Sequence, residues 1–165
     1  MDIQLEQPAD AEAIRVVVTD AFARAPHRSG TEADLVEALR RANALTLSLV
    51  AREQGVLVGH VAFSPVTING ESTGWFGLGP VAVRPDRQRL GVGRALIQSG
   101  LDRLLARGAQ GCVVLGDPAY YARFGFRSDP NLRYGDVPPE YLQRLCFGEQ
   151  RPTGRVDYHR AFLES

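Results

Sequence analysis

Three residues of the kind that hold phosphates lie where an apolar segment meets a long amphipathic one. They are Gln88, Gly91 and Gly93, within "VAVRPDRQRLGVGRALI". Glycine lets a backbone approach a ligand closely, and the first amides of a helix have no acceptor within the helix. The turn therefore favours anion binding, with a plain solvated turn as the alternative. Four arginines that could add charge-assisted hydrogen bonds surround it: Arg84, Arg87, Arg89 and Arg94.

Two common phosphate-binding loops do not fit this turn. A dinucleotide fingerprint needs a third glycine, and Leu96 stands at that position. A Walker A loop needs a lysine, whereas all 19 basic residues of the chain are arginines. The lack of lysine also excludes a Schiff-base lysine and a lysine general base. What remains is a Q-x-x-G-x-G spacing at a predicted strand-to-helix junction.

Length and composition predict one globular domain over residues 1–165. The formal net charge is zero, so there is no overall field to attract nucleic acid or an anionic membrane. No apolar run is long enough to span a bilayer, and the acidic N-terminal segment lacks a signal-peptide pattern. We therefore expect a cytoplasmic protein with neither a membrane nor a nucleic-acid partner.

Neither the cysteines nor the histidines predict a metal site. Cys112 and Cys146 are the only cysteines, and in a reducing compartment we expect two buried thiols, with a disulfide or a nucleophile as the alternative. His27, His60 and His159 are far apart and near no cysteine pair, so no metal-ligand spacing is present.

Strand and helix patterns alternate along the chain, which predicts an α/β fold. Apolar residues at helical spacing predict helices over about 8–24, 31–43 and 91–107. Strands are predicted over about 3–7, 44–55, 56–70, 73–83, 111–116, 141–148 and 154–162, with a short helix and a turn over 118–126. Residues 128–140 read as a loop rich in proline and glycine.

Pro80 interrupts one of the predicted strands. It lies inside "GLGPVAV" and has no N–H to donate to a neighbouring strand. The position predicts a bulge or an opening between strands, with an edge strand as the alternative.

Two segments together resemble the GCN5-related N-acetyltransferases (GNAT). "GPVAVRPDRQRLGVGRALI" resembles motif A of that family, and Y-x-x-x-G-F from Tyr121 to Phe126 resembles motif B. The resemblance covers about residues 3–126 in element order and is sharpest from Leu78 onward. It implies a small single-domain bacterial protein with a mixed central β-sheet of about six or seven strands, helices on both faces, and a splay between two parallel central strands.

The resemblance also implies an activity and a set of site residues. It implies an acetyl-CoA-dependent N-acetyltransferase that moves the acetyl group by direct transfer to a primary amine of a small molecule or a protein. Tyr121 would be the general acid for the departing thiolate, with a core aromatic role as the alternative. Carried over by position, the strand contacts to acetyl-CoA are Val81, Ala82 and Val83, and the loop contacts are Arg89, Leu90, Gly91, Val92, Gly93 and Arg94.

No residue is assigned as general base. The strand segment "TGWFGLGPVAV" has no carboxylate where many of these enzymes carry a glutamate. Asp117 is expected to cap the helix that begins at Pro118, and His60 to be a packed or surface histidine. Without such a base, water would have to relay the proton from the amine, or the amine would have to arrive neutral. Trp75 and Phe76 are expected either to line an acceptor cleft or to belong to the core.

Two other functions stay open on the sequence. The missing carboxylate favours a non-catalytic acyl-CoA-binding regulatory module, and the anion loop alone would suit a nucleotide-binding module. The chain has no acidic cluster of the kind that would indicate a polyamine acceptor. It also has no basic stripe of the kind that would indicate a large anionic partner. The sequence is compatible with a homodimer.

Overall fold

A mixed β-sheet with helices on both faces organises the chain. A computed structural model describes residues 1–23 and 30–164, so most of the break predicted near residues 26–30, and His27, lie outside the described residues. The strands are β1 (Asp2–Leu5), β2 (Leu47–Glu53), β3 (Val56–Ile68), β4 (Trp75–Val83), β5 (Gly111–Leu115), β6 (Arg127–Ser128), β7 (Leu132–Arg133), β8 (Leu142–Cys146) and β9 (Gly154–Tyr158). The α-helices are α1 (Ala11–Phe22), α2 (Glu32–Arg41), α3 (Val92–Ala106), α4 (Pro118–Tyr121) and α5 (Ala161–Glu164).

The sheet follows the order β1-β2-β3-β4-β5-β8-β6, and β9 pairs with both β3 and β7. Its central β4–β5 pair is parallel, while the β2–β3 and β3–β4 pairs are antiparallel. The predicted α/β fold with a mixed sheet is therefore confirmed. There are nine strands among the described residues instead of six or seven, because β6 and β7 span two residues each and are too short to show a periodic pattern.

Each face of the sheet is covered by a helix whose apolar residues recur at helical spacing. On one face α1 buries Ile14, Val17 and Val18 in a cluster with Val50 and Ala82. On the other face α3 buries the side chains of Leu96, Ile97, Leu101 and Leu104 against β2, β3, β4 and β5. None of the helices in the described ranges is long and apolar enough to cross a membrane.

Helix α3 lies close to β3, and two glycines allow this approach. An added Cβ at Gly59 would lie 2.9 Å from side-chain atoms of Leu96 and Val92, and one at Gly100 would overlap the ring of Phe63. Since bulkier residues would push the two elements apart, these contacts fix where α3 begins relative to the sheet.

Strand β4 pairs with β5 along only half its length. The parallel pairing runs from Trp75 opposite Gly111 to Leu78 opposite Val114, and within the described residues it stops there. The Gly79–Pro80 peptide is cis, and the β3–β4 register slips at the same level. Beyond Pro80 the strand continues with β3 as its partner. The opening predicted at Pro80 therefore lies between β4 and β5.

Candidate functional site

An open cleft of about 510 Å³ lies beside this opening. Three parts of the chain form it: the end of β4, the turn that leads into α3, and the segment around α4. Seven of the ten residues predicted from the sequence line it, together with four that the prediction did not include. The lining residues are Val81, Val83, Gln88, Arg89, Gly91, Gly93, Arg94, Ile97, Tyr120, Tyr121 and Arg123.

The N-terminus of α3 faces this cleft with free amides. Gly91 precedes the helix in the left-handed region, with φ of 90°, which favours glycine. The first helical hydrogen bond runs from the Ala95 amide to the Gly91 carbonyl at 3.0 Å, which leaves the three amides between them without an acceptor in the helix. No described side chain caps them. The helix dipole adds positive potential at the same point, so the geometry suits an anion.

Strand β4 presents alternate amides to the cleft. The Arg84 amide donates to the Val58 carbonyl of β3 at 2.8 Å. Because amide direction alternates along a strand, the amides of Val83 and Val81 point away from β3, towards the opening. The Ala82 amide points towards β3, and its side chain is buried under α1. Of the three predicted strand contacts, two therefore face the cleft.

Two of the four arginines near the turn are occupied by carboxylates. Arg84 pairs with Asp86 at 2.6 Å and Arg87 with Glu53 at 3.2 Å. The hydrogen bond and charge of Asp86 raise the pKa of the Arg84 guanidinium, although desolvation of the guanidinium lowers it in part. The other two arginines of the turn line the cleft, so they are the ones available to an anionic ligand.

Arg123 is a cation in the cleft that the sequence analysis missed. Its guanidinium carbon lies 4.3 Å from the centroid of the Tyr120 ring, and its Nε donates to the Tyr120 carbonyl at 2.8 Å. The Tyr120 hydroxyl in turn lies 3.8 Å from where a Cβ on Gly93 would be. Tyr120 and Arg123 thus form a wall opposite the start of α3. Their place in motif B next to Tyr121 was the signal that could have identified them.

Tyr121 lines the cleft beside Tyr120. Its ring packs against the backbone of Gly116, where an added Cβ would lie 2.5 Å from Cε2, and edge-on against Phe126 with centroids 6.0 Å apart. Burial raises the pKa of Tyr121 to about 12, with smaller contributions from Tyr120 and Cys112. The phenol is therefore protonated at neutral pH, so it carries a proton that it can give to a base in the cleft.

Two polar residues considered from the sequence have structural partners elsewhere. Asp117 accepts a hydrogen bond from the Ala119 amide at 2.9 Å, so it caps α4 as predicted. His60 is buried, and its Nε2 lies 2.7 Å from the Ser48 hydroxyl, which also donates to Glu6. Burial lowers the pKa of His60 to about 4, so the ring is neutral at pH 7.

Other predicted residues pack rather than line the cleft. Trp75 is buried and donates from Nε1 to Gln150 at 3.2 Å. Leu90 is exposed, and Val92, the first residue of α3, is buried against Gly59 of β3; neither side chain lines the cleft. Both cysteines are free, as predicted; Cys112 is buried and Cys146 partly so. No group of three potential metal ligands occurs among the residues that the structure describes.

Comparisons with known proteins identify the family. The model of the Acetyltransferase (GNAT) family matches residues 12–126. The chain is 40% identical to the uncharacterized N-acetyltransferase YhbS of Escherichia coli strain K12, over 98% of each chain. It is similar to the crystal structure of a GNAT family acetyltransferase from Brucella melitensis in complex with acetyl-CoA (TM-score 0.88, 49% identity, 98% and 97% coverage). The crystal structure of E. coli YhbS in complex with CoA matches with a TM-score of 0.91, at 37% identity over 98% of this chain and 91% of that one. The chain belongs to the GNAT family of acetyltransferases.

Proposed function

We propose that this protein transfers the acetyl group of acetyl-CoA to a primary amine of a small molecule or a protein. One observation carries the proposal. The uncapped start of α3, the unpaired edge of β4 and the protonated phenol of Tyr121 meet in one cleft. Related structures contain acetyl-CoA or CoA, which supports the choice of cosubstrate.

In this proposal each side of the cleft binds a different part of the cosubstrate. The backbone amides from Arg89 to Arg94, which include the first amides of α3, bind the pyrophosphate. The amides of Leu90, Gly91, Val92 and Gly93 belong to this set. The guanidinium groups of Arg89 and Arg94 add charge-assisted hydrogen bonds. The amides of Val81 and Val83 bind the pantetheine arm and the thioester carbonyl. Ala82 contributes indirectly, because its backbone holds β4 on β3.

The chemistry needs no external base if the amine arrives neutral. The amine nitrogen forms a bond to the thioester carbonyl carbon, and an amide on the β4 edge stabilises the oxyanion that develops. The C–S bond then breaks, and Tyr121 donates its proton to the departing thiolate. The nitrogen loses one proton, which returns to Tyr121 through water. Protons therefore balance, which accommodates the absence of a carboxylate on β4.

A thermal melt with acetyl-CoA, with ATP and NAD as controls, tests the cosubstrate. At a hundredfold excess over the dissociation constant, acetyl-CoA should stabilise the protein by about 2.7 kcal/mol, which raises Tm by roughly 5–10 °C. A shift with ATP alone would indicate a nucleotide-binding module instead.

Thiol release with a panel of primary amines tests the reaction. Because the chain has no lysine, acetylation of its own lysine side chains cannot contribute to the signal. Acetyl-CoA binding without thiol release across the panel would favour a non-catalytic acyl-CoA-binding module.

A further inference from the structure

Two hydroxyl groups are buried without partners on the face of the sheet opposite α3. On β3, Gly59 and Phe63 lie against α3, so the even-numbered residues from His60 to Val66 point to the other face. Ser64 is one of these, and it is fully buried. Among the described residues, neither the Ser64 Oγ nor the Tyr158 Oη has a hydrogen-bond partner.

These two hydroxyl-bearing residues lie next to each other. Gly77 of β4 is directly opposite Ser64 in the β3–β4 register. The Tyr158 ring covers Gly77, since an added Cβ there would lie 2.6 Å from Tyr158 Cε2. Gly77 is also one residue before the end of the β4–β5 pairing, as Leu78 is the last paired residue. The two hydroxyls therefore lie behind the opening, on the side away from the proposed cosubstrate cleft.

Aromatic side chains extend this patch. The Tyr158 ring packs edge-on against Tyr134, with centroids 5.1 Å apart, and against Phe162, with centroids 4.9 Å apart. Burial raises the pKa of Tyr158 well above its ordinary value, and nearby Cys112, Tyr134 and Tyr121 raise it further. The phenol stays protonated, so it can both donate and accept a hydrogen bond.

The side chains of β3 and β4 bring no charge to this face, and Arg144 of β8, opposite Val113, is paired with Asp129. Besides Ser64, the side chains of β3 and β4 that point there include His60, Ala62, Val66 and Trp75, and His60 is neutral. A buried ammonium group would lack a carboxylate from these strands, which costs several kcal/mol. Two buried polar groups without partners are also unfavourable. A neutral amine that hydrogen-bonds to both hydroxyls satisfies all three groups.

We propose that Ser64 and Tyr158 bind the acceptor, and that this acceptor is a weakly basic primary amine on an apolar body, neutral at physiological pH. The amine nitrogen donates one N–H to each hydroxyl oxygen, which leaves its lone pair free to attack the thioester, and the aromatic patch holds the apolar body. This inference rests on the proposed acetyl transfer and narrows its substrate class.

The pH dependence of KM tests the charge state of the bound amine. Aniline and cyclohexylamine have similar size, but only cyclohexylamine is mostly protonated near neutral pH. We expect the KM of cyclohexylamine to fall about tenfold per pH unit between pH 6.5 and 8.5, as its neutral fraction rises, while the KM of aniline stays constant. A KM of cyclohexylamine that does not change with pH would mean that the ammonium form binds, which overturns the proposal.

Two tyrosine variants test the site itself. Tyr158→Phe keeps the packing and removes the unpaired hydroxyl. It should raise the acceptor KM about 2- to 10-fold, because one hydrogen bond is lost, and leave acetyl-CoA affinity unchanged. Tm should stay the same or rise, since the hydroxyl lacks a partner in the protein. Tyr141→Phe removes the hydroxyl of an exposed tyrosine outside the aromatic patch and should leave the acceptor KM unchanged. An equal effect of both variants, or none of Tyr158→Phe, contradicts the assignment.

Failure of this inference can be told apart from failure of the proposed function. A wild-type protein that binds acetyl-CoA but acetylates no member of a panel of anilines and arylhydrazines overturns the acceptor class alone. A wild-type protein that does not bind acetyl-CoA in the calorimeter overturns the acetyl transfer on which the inference rests.

Discussion

Replacing Gly93 with alanine separates cosubstrate binding from folding. An added Cβ at this position would lie 3.5 Å from Val83 Cγ2 and 3.8 Å from the Tyr120 hydroxyl, which are ordinary contact distances. Alanine therefore fits without displacing its neighbours, and its methyl group enters the cleft between β4 and the α4 segment. There it lies in front of the free amides of α3.

The two effects of Gly93→Ala should have opposite signs. Alanine is favoured over glycine in a helix, so the free energy of unfolding should rise by up to about 1 kcal/mol. The methyl group should prevent at least one hydrogen bond from an amide to the anion, and a hydrogen bond to a charged group contributes about 1.5–3 kcal/mol. At 1.4 kcal/mol per factor of ten, acetyl-CoA should bind about 10- to 150-fold more weakly.

Calorimetric titration with acetyl-CoA and urea unfolding measure these two quantities on the same variant. Gln98→Ala is the matched control, because Gln98 is exposed on α3 and donates to Asp102 at 2.9 Å, away from the cleft. Its acetyl-CoA affinity should equal that of the wild type. A Gly93→Ala protein that folds normally and binds acetyl-CoA within twofold of wild type would refute the placement of the pyrophosphate at α3.

Three further predictions concern charge and proton transfer. Tyr121→Phe should lower kcat by about a hundredfold or more with little change in acetyl-CoA affinity, because it removes the proposed acid; single-turnover kinetics check this, and an unchanged rate would leave Tyr121 a packing residue. Arg94→Ala should weaken acetyl-CoA binding about tenfold, whereas Arg84→Ala should not, because Arg84 is paired with Asp86; equal effects in titration would refute this division. Lowering the pH from 7.5 to 5.5 should reduce the free energy of unfolding by about 1.4 kcal/mol through His60. The unfolded ring takes up a proton near its ordinary pKa of 6.5, whereas the folded ring, with its pKa of about 4, stays neutral. Urea unfolding of His60→Gln should lack this component, and an identical pH slope in the variant would assign it to other groups.

The parts of the site that were predictable from the sequence are local ones. The segment from Val81 to Arg94 forms a strand, a turn and a helix in direct succession, so its spacing alone places these residues at one cleft. Tyr121 follows β5 by only a short turn, and the parallel β4–β5 pair brings it to the same place. Short-range patterns therefore identified most of the cleft.

The parts that were missed depend on geometry that local patterns do not contain. The orientation of Ala82 depends on the slip in the β3–β4 register, which changes the alternation of side chains after Pro80. Tyr158 reaches Gly77 because β9 pairs with β3 across about ninety residues of chain, Val66 lying opposite Tyr158. The pairing of Arg87 with Glu53 likewise joins distant segments.

The close contact of α3 with β3 has a consequence for ligand binding. Gly59 and Gly100 let the helix rest directly on the strand, so sliding or tilting of α3 would press Leu96 into β3 at Gly59 and Gly100 into the ring of Phe63. The anion site is therefore preorganised, and binding should require little ordering of the backbone. We expect free and liganded forms to superimpose within about 1 Å over α3 and β4, with association limited by diffusion and orientation and not by a conformational step.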